Sequence, residues 1–145
     1  MKNILIALMV IFTSCGSNKE RGENNEEFEA RIPGKLHGNY LVSELKNENL
    51  GGEDIIFRFD SIKSEVTGNA GCNRLNSVYV HIDSSINFQP AISTKMYCEG
   101  KMEREKEIIE ILPEISEIIQ QNEDVLLLSA ESELLLKLKK TNRSE

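Results

Sequence analysis

A chain of 145 residues with 24 acidic against 17 basic side chains is long enough for one domain around one modest core. Its formal net charge of −7 makes nucleic acid and anionic lipid surfaces poor partners. Three cysteines and two histidines are few, and no C-x-x-C or H-x-x-x-H spacing marks a zinc-built fold.

The chain opens with a short positive start, Met1-Lys2-Asn3, and an apolar run from Ile4 to Phe12. Thr13-Ser14-Cys15 closes the run with small residues before a cysteine. That order predicts a lipoprotein signal over 1–14, cleaved before Cys15, which then carries the lipid. The apolar run is less than half the roughly 20 residues a membrane-spanning helix needs. Loss of Lys2 leaves 16 basic against 24 acidic side chains. Attachment therefore rests on acyl chains and not on a basic patch. The expected protein is exported and lipid-anchored in the cell envelope at the outer membrane, its membrane contact made through the N-terminal lipid. Gly16 to Arg31 is polar and acidic and reads as a flexible tether, so 15–33 forms the lipidated leader. Ile32-Pro33-Gly34 punctuates the entry into a folded domain over 34–141, with a polar tail over 142–145.

In that domain Asn39 to Leu45 is a short strand, followed by a polar turn from Lys46 to Gly52. Asp54 to Asp60 alternates, with Ile55, Phe57 and Phe59 on one face and Ile56, Arg58 and Asp60 on the other. Glu65 to Gly68 is a third extended piece. Val78, Val80 and Ile82 form the apolar face of the next strand, opposite Tyr79, His81 and Asp83, and a Ser84-Ser85 turn returns it to Ile86 and Phe88. His81, on the polar face, and His37, in a turn, read as solvated side chains.

Lys101 to Leu112 carries a helical period, with Met102, Ile108, Ile109 and Leu112 on one side. Glu103, Arg104, Glu105, Lys106, Glu107 and Glu110 then belong to a wetted surface laced with near-neighbour pairs. Pro113 ends or kinks the helix. A final hairpin pairs Val125–Leu128 with Glu133–Lys140, where Leu134, Leu136 and Leu138 face in and Lys137 and Lys139 face out. The fold class is α+β, mostly β.

With Cys15 assigned to lipid, Cys72 and Cys98 are left as an even pair in an oxidising compartment, where a disulfide is the default. Such a bond closes a loop of about 27 residues, for which chain entropy gives roughly 3.5 kcal/mol. Two rivals remain open. A zinc site would use Cys72, Cys98, His37 and His81 without any usual ligand spacing. A catalytic Cys72 thiolate would need a partner base.

The stretch GNAGCNRLNSVY, Gly68 to Tyr79, resembles the signature of the META domain, the module of HslJ-like heat-shock lipoproteins, in which a Gly-Cys-Asn-Arg turn precedes a strand. Ser93-Thr94-Lys95-Met96-Tyr97-Cys98 is similar to the family's second element, and the helix and Leu-rich hairpin follow in the family's order. The resemblance covers roughly Gly34 to Lys140, with Tyr40 where many relatives carry Trp and Leu75 where many carry Phe. It implies a strongly curved antiparallel sheet approaching a small barrel, with one helix packed against it. It implies no catalytic activity, cofactor or metal, and a role in stress response through an envelope partner or small ligand. In the motif turn, Gly68 and Gly71 would let the backbone bend, Asn73 would bond the turn's exposed backbone, and Arg74 would pair with a carboxylate. The alternative is that Asn73 and Arg74 line a ligand cleft.

Overall fold

The computed structural model describes residues 33–143; the expected signal, the lipidated Cys15 and the tether up to residue 32 lie outside them. The chain runs β1 (Gly38–Leu45), β2 (Glu48–Asn49), β3 (Ile56–Asp60), β4 (Glu65–Asn69), β5 (Arg74–Ile82), β6 (Ser85–Phe88) and β7 (Ile92–Ser93). A helix, α1 (Met102–Ile111), and a 3-10 turn (Leu112–Glu114) lead into β8 (Glu117–Gln121), β9 (Asp124–Leu128) and β10 (Leu134–Thr141).

Every pairing is antiparallel. The order β10-β9-β8-β6-β5-β4-β3-β1 closes on itself because β1 also pairs with β10, giving a ring of eight strands. The short β2 and β7 attach to β1 and β5 outside that path. The narrowest seam joins β6 to β8 at Ser85 and Glu117, where Ile86 N–H donates to the Ser116 carbonyl at 3.0 Å and Ile118 N–H to that of Ser84 at 2.9 Å. Closure satisfies the edges that an open sheet of this length would leave unpaired.

The inward faces supply the core. Phe59 lies at the centre of an aromatic cluster, its ring centroid 5.5 Å from Tyr40, 5.6 Å from Tyr79 and 6.4 Å from Phe88, all edge-on. Such pairs add about 0.5–1.5 kcal/mol each beyond area burial. The helix seats Ile108 and Ile111 in the same core. On its outer side Arg104 meets Glu48 of β2 at 2.6 Å and Glu107 at 3.3 Å, fastening α1 to the β1–β2 turn.

Four features depart from the sequence reading. The face of β5 is inverted: Val78, Val80 and Ile82 are 44%, 54% and 66% exposed, whereas Leu75, Ser77 and Tyr79 point inward. The Tyr79 ring, set between Phe59 and Phe88, buries more apolar surface than the valines offer, and the buried Ser77 hydroxyl is satisfied by the Gln89 carbonyl at 2.5 Å. His81 consequently shares the Tyr79 side and is half-buried, not solvated, with its Nε2 2.9 Å from the Asp83 carbonyl. Ile56, assigned to the outer face of β3, is buried. In β10 a bulge between Leu134 and Leu136 lets both Leu135 and Leu136 turn inward and leaves Leu134 half-buried. The strand β8, rich in isoleucine and glutamine, was not singled out in the sequence.

Candidate functional site

The motif turn leaves β4 at Gly68 and enters β5 at Arg74. Gly68 is not where the chain bends. It lies within β4 opposite Phe57, and a Cβ there would run into the Ile56 carbonyl oxygen and come within 3.0 Å of the Phe57 ring. The bend falls at Gly71, whose φ of +116° is ill suited to any other residue. The Asn69 side chain accepts the Gly71 N–H at 3.2 Å, and Ala70 N–H closes the turn onto the Asn73 carbonyl at 3.2 Å.

From this turn Cys72 is bonded to Cys98, with α-carbons 5.9 Å apart. The bond removes the Cys72 thiolate on which a nucleophilic mechanism would depend. The residues of the zinc rival are not brought together either. The two sulfurs are joined to each other, His37 Nδ1 lies 3.4 Å from the Ser61 hydroxyl, and His81 turns to Asp83. Among the described residues no cluster of His, Cys, Asp or Glu could hold a metal ion.

Asn73 is 1% exposed and does not bond the turn's own backbone with its side chain. Its Oδ1 accepts the Met96 N–H at 2.6 Å and the Thr94 hydroxyl at 2.7 Å; its Nδ2 donates to the Met96 carbonyl at 3.0 Å and to Glu105 Oε1 at 2.8 Å. Its main-chain N–H donates to Glu105 Oε2 at 2.7 Å. Glu105 is therefore not on a wetted helix face. It is 5% exposed, and its carboxylate is the anchor by which the first turn of α1 holds the motif. Arg74 reinforces the seam through its backbone, donating N–H to Thr94 Oγ1 at 3.2 Å and accepting the Thr94 N–H at 3.1 Å.

The Arg74 side chain points the other way, onto the outer face of the sheet. There the register sets one cross-strand row: Thr141, Asn39, Arg58, Thr67, Asn76 and Ile92, from β10, β1, β3, β4, β5 and β7 in turn. Directly opposed residues share a face, so this row lines a single surface. Asn39 to Ile92 of that row, with Arg74, Ser93 and Thr94, line an open groove of about 670 Å³. Among the described residues, Arg58 and Arg74 are the charged side chains of its lining.

The groove is flanked at each end. One flank carries His37, Asp60 and Lys140, the other Asp54, Asn69, Lys101 and Met96. The flanking carboxylates are occupied. Asp60 Oδ1 accepts the Ile62 and Lys63 N–H groups at 2.9 and 3.1 Å, which holds its carboxyl below the ordinary aspartate value. Asp54 pairs with Arg143 at 2.8 Å. Although Asp60, His37 and Ser61 lie close together, Asp60 is committed to the turn amides and not to orienting the imidazole.

The motif residues singled out in the sequence thus separate. Asn73 joins a buried network beside the half-buried Cys72–Cys98 bond, Gly68 and Gly71 shape the backbone, and Arg74 is the motif side chain that reaches the groove, where Gly68 lines the floor with backbone alone. Sequence reasoning missed Arg58, Thr67 and Asn76 as partners. Period-two alternation places Arg58 on a polar face, but only strand pairing puts the three side by side.

A ring of antiparallel strands with one helix, a disulfide-pinned Gly-Cys-Asn-Arg turn and an outer polar groove defines a small β-rich domain with a built-in structural seam. The META domain family model matches residues 34–142, and the chain belongs to that family. Solved structures agree in fold. A protein from Burkholderia xenovorans solved by NMR has a TM-score of 0.60 at 17% identity, over 75% of this chain and 85% of that one. A second NMR structure gives 0.56 at 18% identity, over 71% and 88%. The crystal structure of a DUF4847 family protein from Bacteroides vulgatus gives 0.54 at 12% identity, over 76% and 96%. At these identities the likeness is one of fold. No curated protein matches the chain.

Proposed function

We propose that this META domain protein is a non-enzymatic, lipid-anchored binding protein of the bacterial envelope, attached at the outer membrane through Cys15, that uses its outer groove to engage a partner or small ligand in stress response. The observation that carries the reading is the division of labour at the motif. Asn73, Glu105 and the two cysteines are spent on each other, while Arg58, Thr67, Arg74 and Asn76 sit on a face whose polarity the core does not require. A groove of this volume falls within the roughly 300–1,000 Å³ of small-molecule sites.

The test is a fragment screen by amide NMR on the full chain in non-ionic detergent. Binding should move the signals of Arg58, Thr67 and Asn76, and every bound compound should be recovered chemically unchanged. Conversion of a bound compound would overturn the non-enzymatic reading. Silence of these amides across the screen would remove the groove from it.

A further inference from the structure

We infer that Ile62, Val78, Val80 and Ile82 form a face that lies on a zwitterionic phospholipid surface, beside the point where the anchor segment enters the domain. The inference rests on the reading of Cys15 as the lipid anchor and adds which face of the domain that anchor brings to the bilayer.

Exposure is the first observation. Ile62 is 90% exposed in the β3–β4 turn, and Val78, Val80 and Ile82 are outward, exposed residues of β5. The Ser64 carbonyl accepts the Tyr79 N–H at 2.9 Å, which holds that turn beside the same stretch of β5. Val78 is opposed to Glu65, Val80 to Asn87 and Ile82 to Ser85, so the line of hydrocarbon has a polar rim. Single apolar residues scattered over a surface are ordinary, but aliphatic side chains gathered on neighbouring elements mark a contact.

Position is the second. The described chain enters the domain at this patch. The Leu36 carbonyl accepts the Tyr79 hydroxyl at 3.4 Å, and His37 Nδ1 lies 3.4 Å from the hydroxyl of Ser61, the neighbour of Ile62. Seventeen residues separate Cys15 from Pro33, a reach of about 60 Å even at full extension. A lipid on Cys15 therefore keeps the entry end of the domain near the bilayer, and a second contact made there is in effect intramolecular, so a modest apolar face suffices.

Charge is the third, and it selects the kind of surface. The acid-rich helix sits at the other end of the strands: Glu105 of α1 meets Asn73 just before β5 begins, whereas Val78 to Ile82 closes that strand. The nine residues of β5 put about 25 Å between the two ends. Around the patch the signs are mixed, with Lys35 and Lys63 exposed and Asp60, Glu65 and Asp83 also present. The lysine stems can lie along the apolar face and carry their ammonium groups to headgroup phosphates. A surface without net charge accepts such a rim, whereas a strongly anionic one would meet a chain of net charge −7.

The experiment places the full lipidated chain, disulfide intact and one copy per disc, in phosphatidylcholine nanodiscs that contain a gadolinium-bearing headgroup lipid, and reads paramagnetic relaxation of the backbone amides. The amides of Ile62, Val80 and Ile82 should relax faster than those of Glu103 and Arg104 in α1 by about fivefold or more, given the length of β5 between them. Raising salt from about 50 to 500 mM should leave the pattern in place, because an apolar contact is not screened. The triple variant Ile62→Thr, Val80→Thr, Ile82→Thr keeps β-branched residues on the strand and should keep its melting midpoint, yet lose about half or more of the enhancement at these amides. Even relaxation over the surface, a maximum at α1, loss of the pattern in salt, or a triple variant that relaxes like the parent each overturns the lipid face while the acylated chain stays on the disc. Amide shifts over Val78–Ile82 that arise in discs holding two copies but not in discs holding one would make the occupant a second copy and overturn it as well. A chain whose mass shows no acyl group and which leaves the disc removes the anchor reading, and the inference falls with it.

Discussion

The carboxylate of Glu105 accepts both amides of Asn73, the main-chain N–H at 2.7 Å and the side-chain Nδ2 at 2.8 Å, with both residues almost fully buried. A residue of the turn and a residue of the helix are thereby locked in one orientation, and the rest of the Asn73 side chain fixes the Thr94–Met96 segment between them. Asn73→Ala would leave the buried carboxylate only the main-chain N–H of residue 73 and would strand its Oε1, the Met96 N–H and the Thr94 hydroxyl at once. The expected loss is about 3–5 kcal/mol in urea denaturation. Glu105→Gln keeps the shape but loses the charge assistance and sets an amide against donors, for about 1.5–3 kcal/mol. Asn73→Asp would oppose two carboxylates and should be most damaging near neutrality, recovering as acid protonates the pair. A Glu105→Gln variant as stable as the parent would show that the network is dispensable.

The disulfide acts on the same two segments from the other side. Reduction, Cys72→Ala and Cys98→Ala should each lower stability by about 2–5 kcal/mol, and the two substitutions should act alike. Thiol titration of the denatured, unreduced protein should find neither Cys72 nor Cys98 free, and no free thiol at all where Cys15 carries the proposed lipid. A free thiol, or stability lost in only one of the two variants, would contradict this picture.

Glycine substitutions separate two requirements. Gly68→Ala should cost about 2 kcal/mol or more, because the new methyl meets the fixed Ile56 carbonyl of the adjoining strand and the ladder must part. Gly71→Ala should cost about 1 kcal/mol or more from backbone strain alone, since only Lys101 lies near the added carbon. Thermal melts of both variants check the order, and an innocuous Gly68→Ala would undo the packing account of β4.

Burial raises the hydroxyl pKa values of Tyr40 and Tyr79 above the ordinary tyrosine value. Lys137 is raised as well, by its hydrogen bond to Glu44 and by Asp124. A group whose folded pKa exceeds its unfolded one contributes stability below the unfolded value and loses it as pH climbs through the folded value. All three therefore point to a melting midpoint that falls above about pH 10. The double variant Tyr40→Phe, Tyr79→Phe should make that fall shallower and remove the latest phase of the tyrosinate absorbance titration. A slope unchanged by the double substitution would assign the alkaline sensitivity elsewhere.

The anchor is tested outside the folded domain. Cys15→Ser should abolish labelling by a fatty-acid analogue, leave an uncleaved precursor, and release no change in the disulfide-bonded domain. Continued labelling of the variant would refute lipid attachment at Cys15.

What the sequence determined by itself is what local chemistry and periodicity carry. The inward set Ile55, Phe57 and Phe59, the helix ending before Pro113 and the glycine-marked turn at Gly71 depend on neighbours within a few residues and are found where the pattern put them, although Ile56 and Glu105 are buried as well. The pairing of Cys72 with Cys98 was legible from parity, the expected lipid on Cys15 leaving these two as the even pair, and the bond is there. Tertiary structure decided whatever depends on which strand lies beside which. The face of β5 could not be read from Val78, Val80 and Ile82, because Tyr79 wins the core only once Phe59 and Phe88 are brought to either side of it. Glu105 looked like one charge among many on a wet helix until the ring carried Asn73 to it across the fold. Arg58, Thr67 and Asn76 became a groove for the same reason. A cross-strand row is a property of register, and register is fixed by the burial of the opposite face, a sum over the whole closed sheet that no single segment contains.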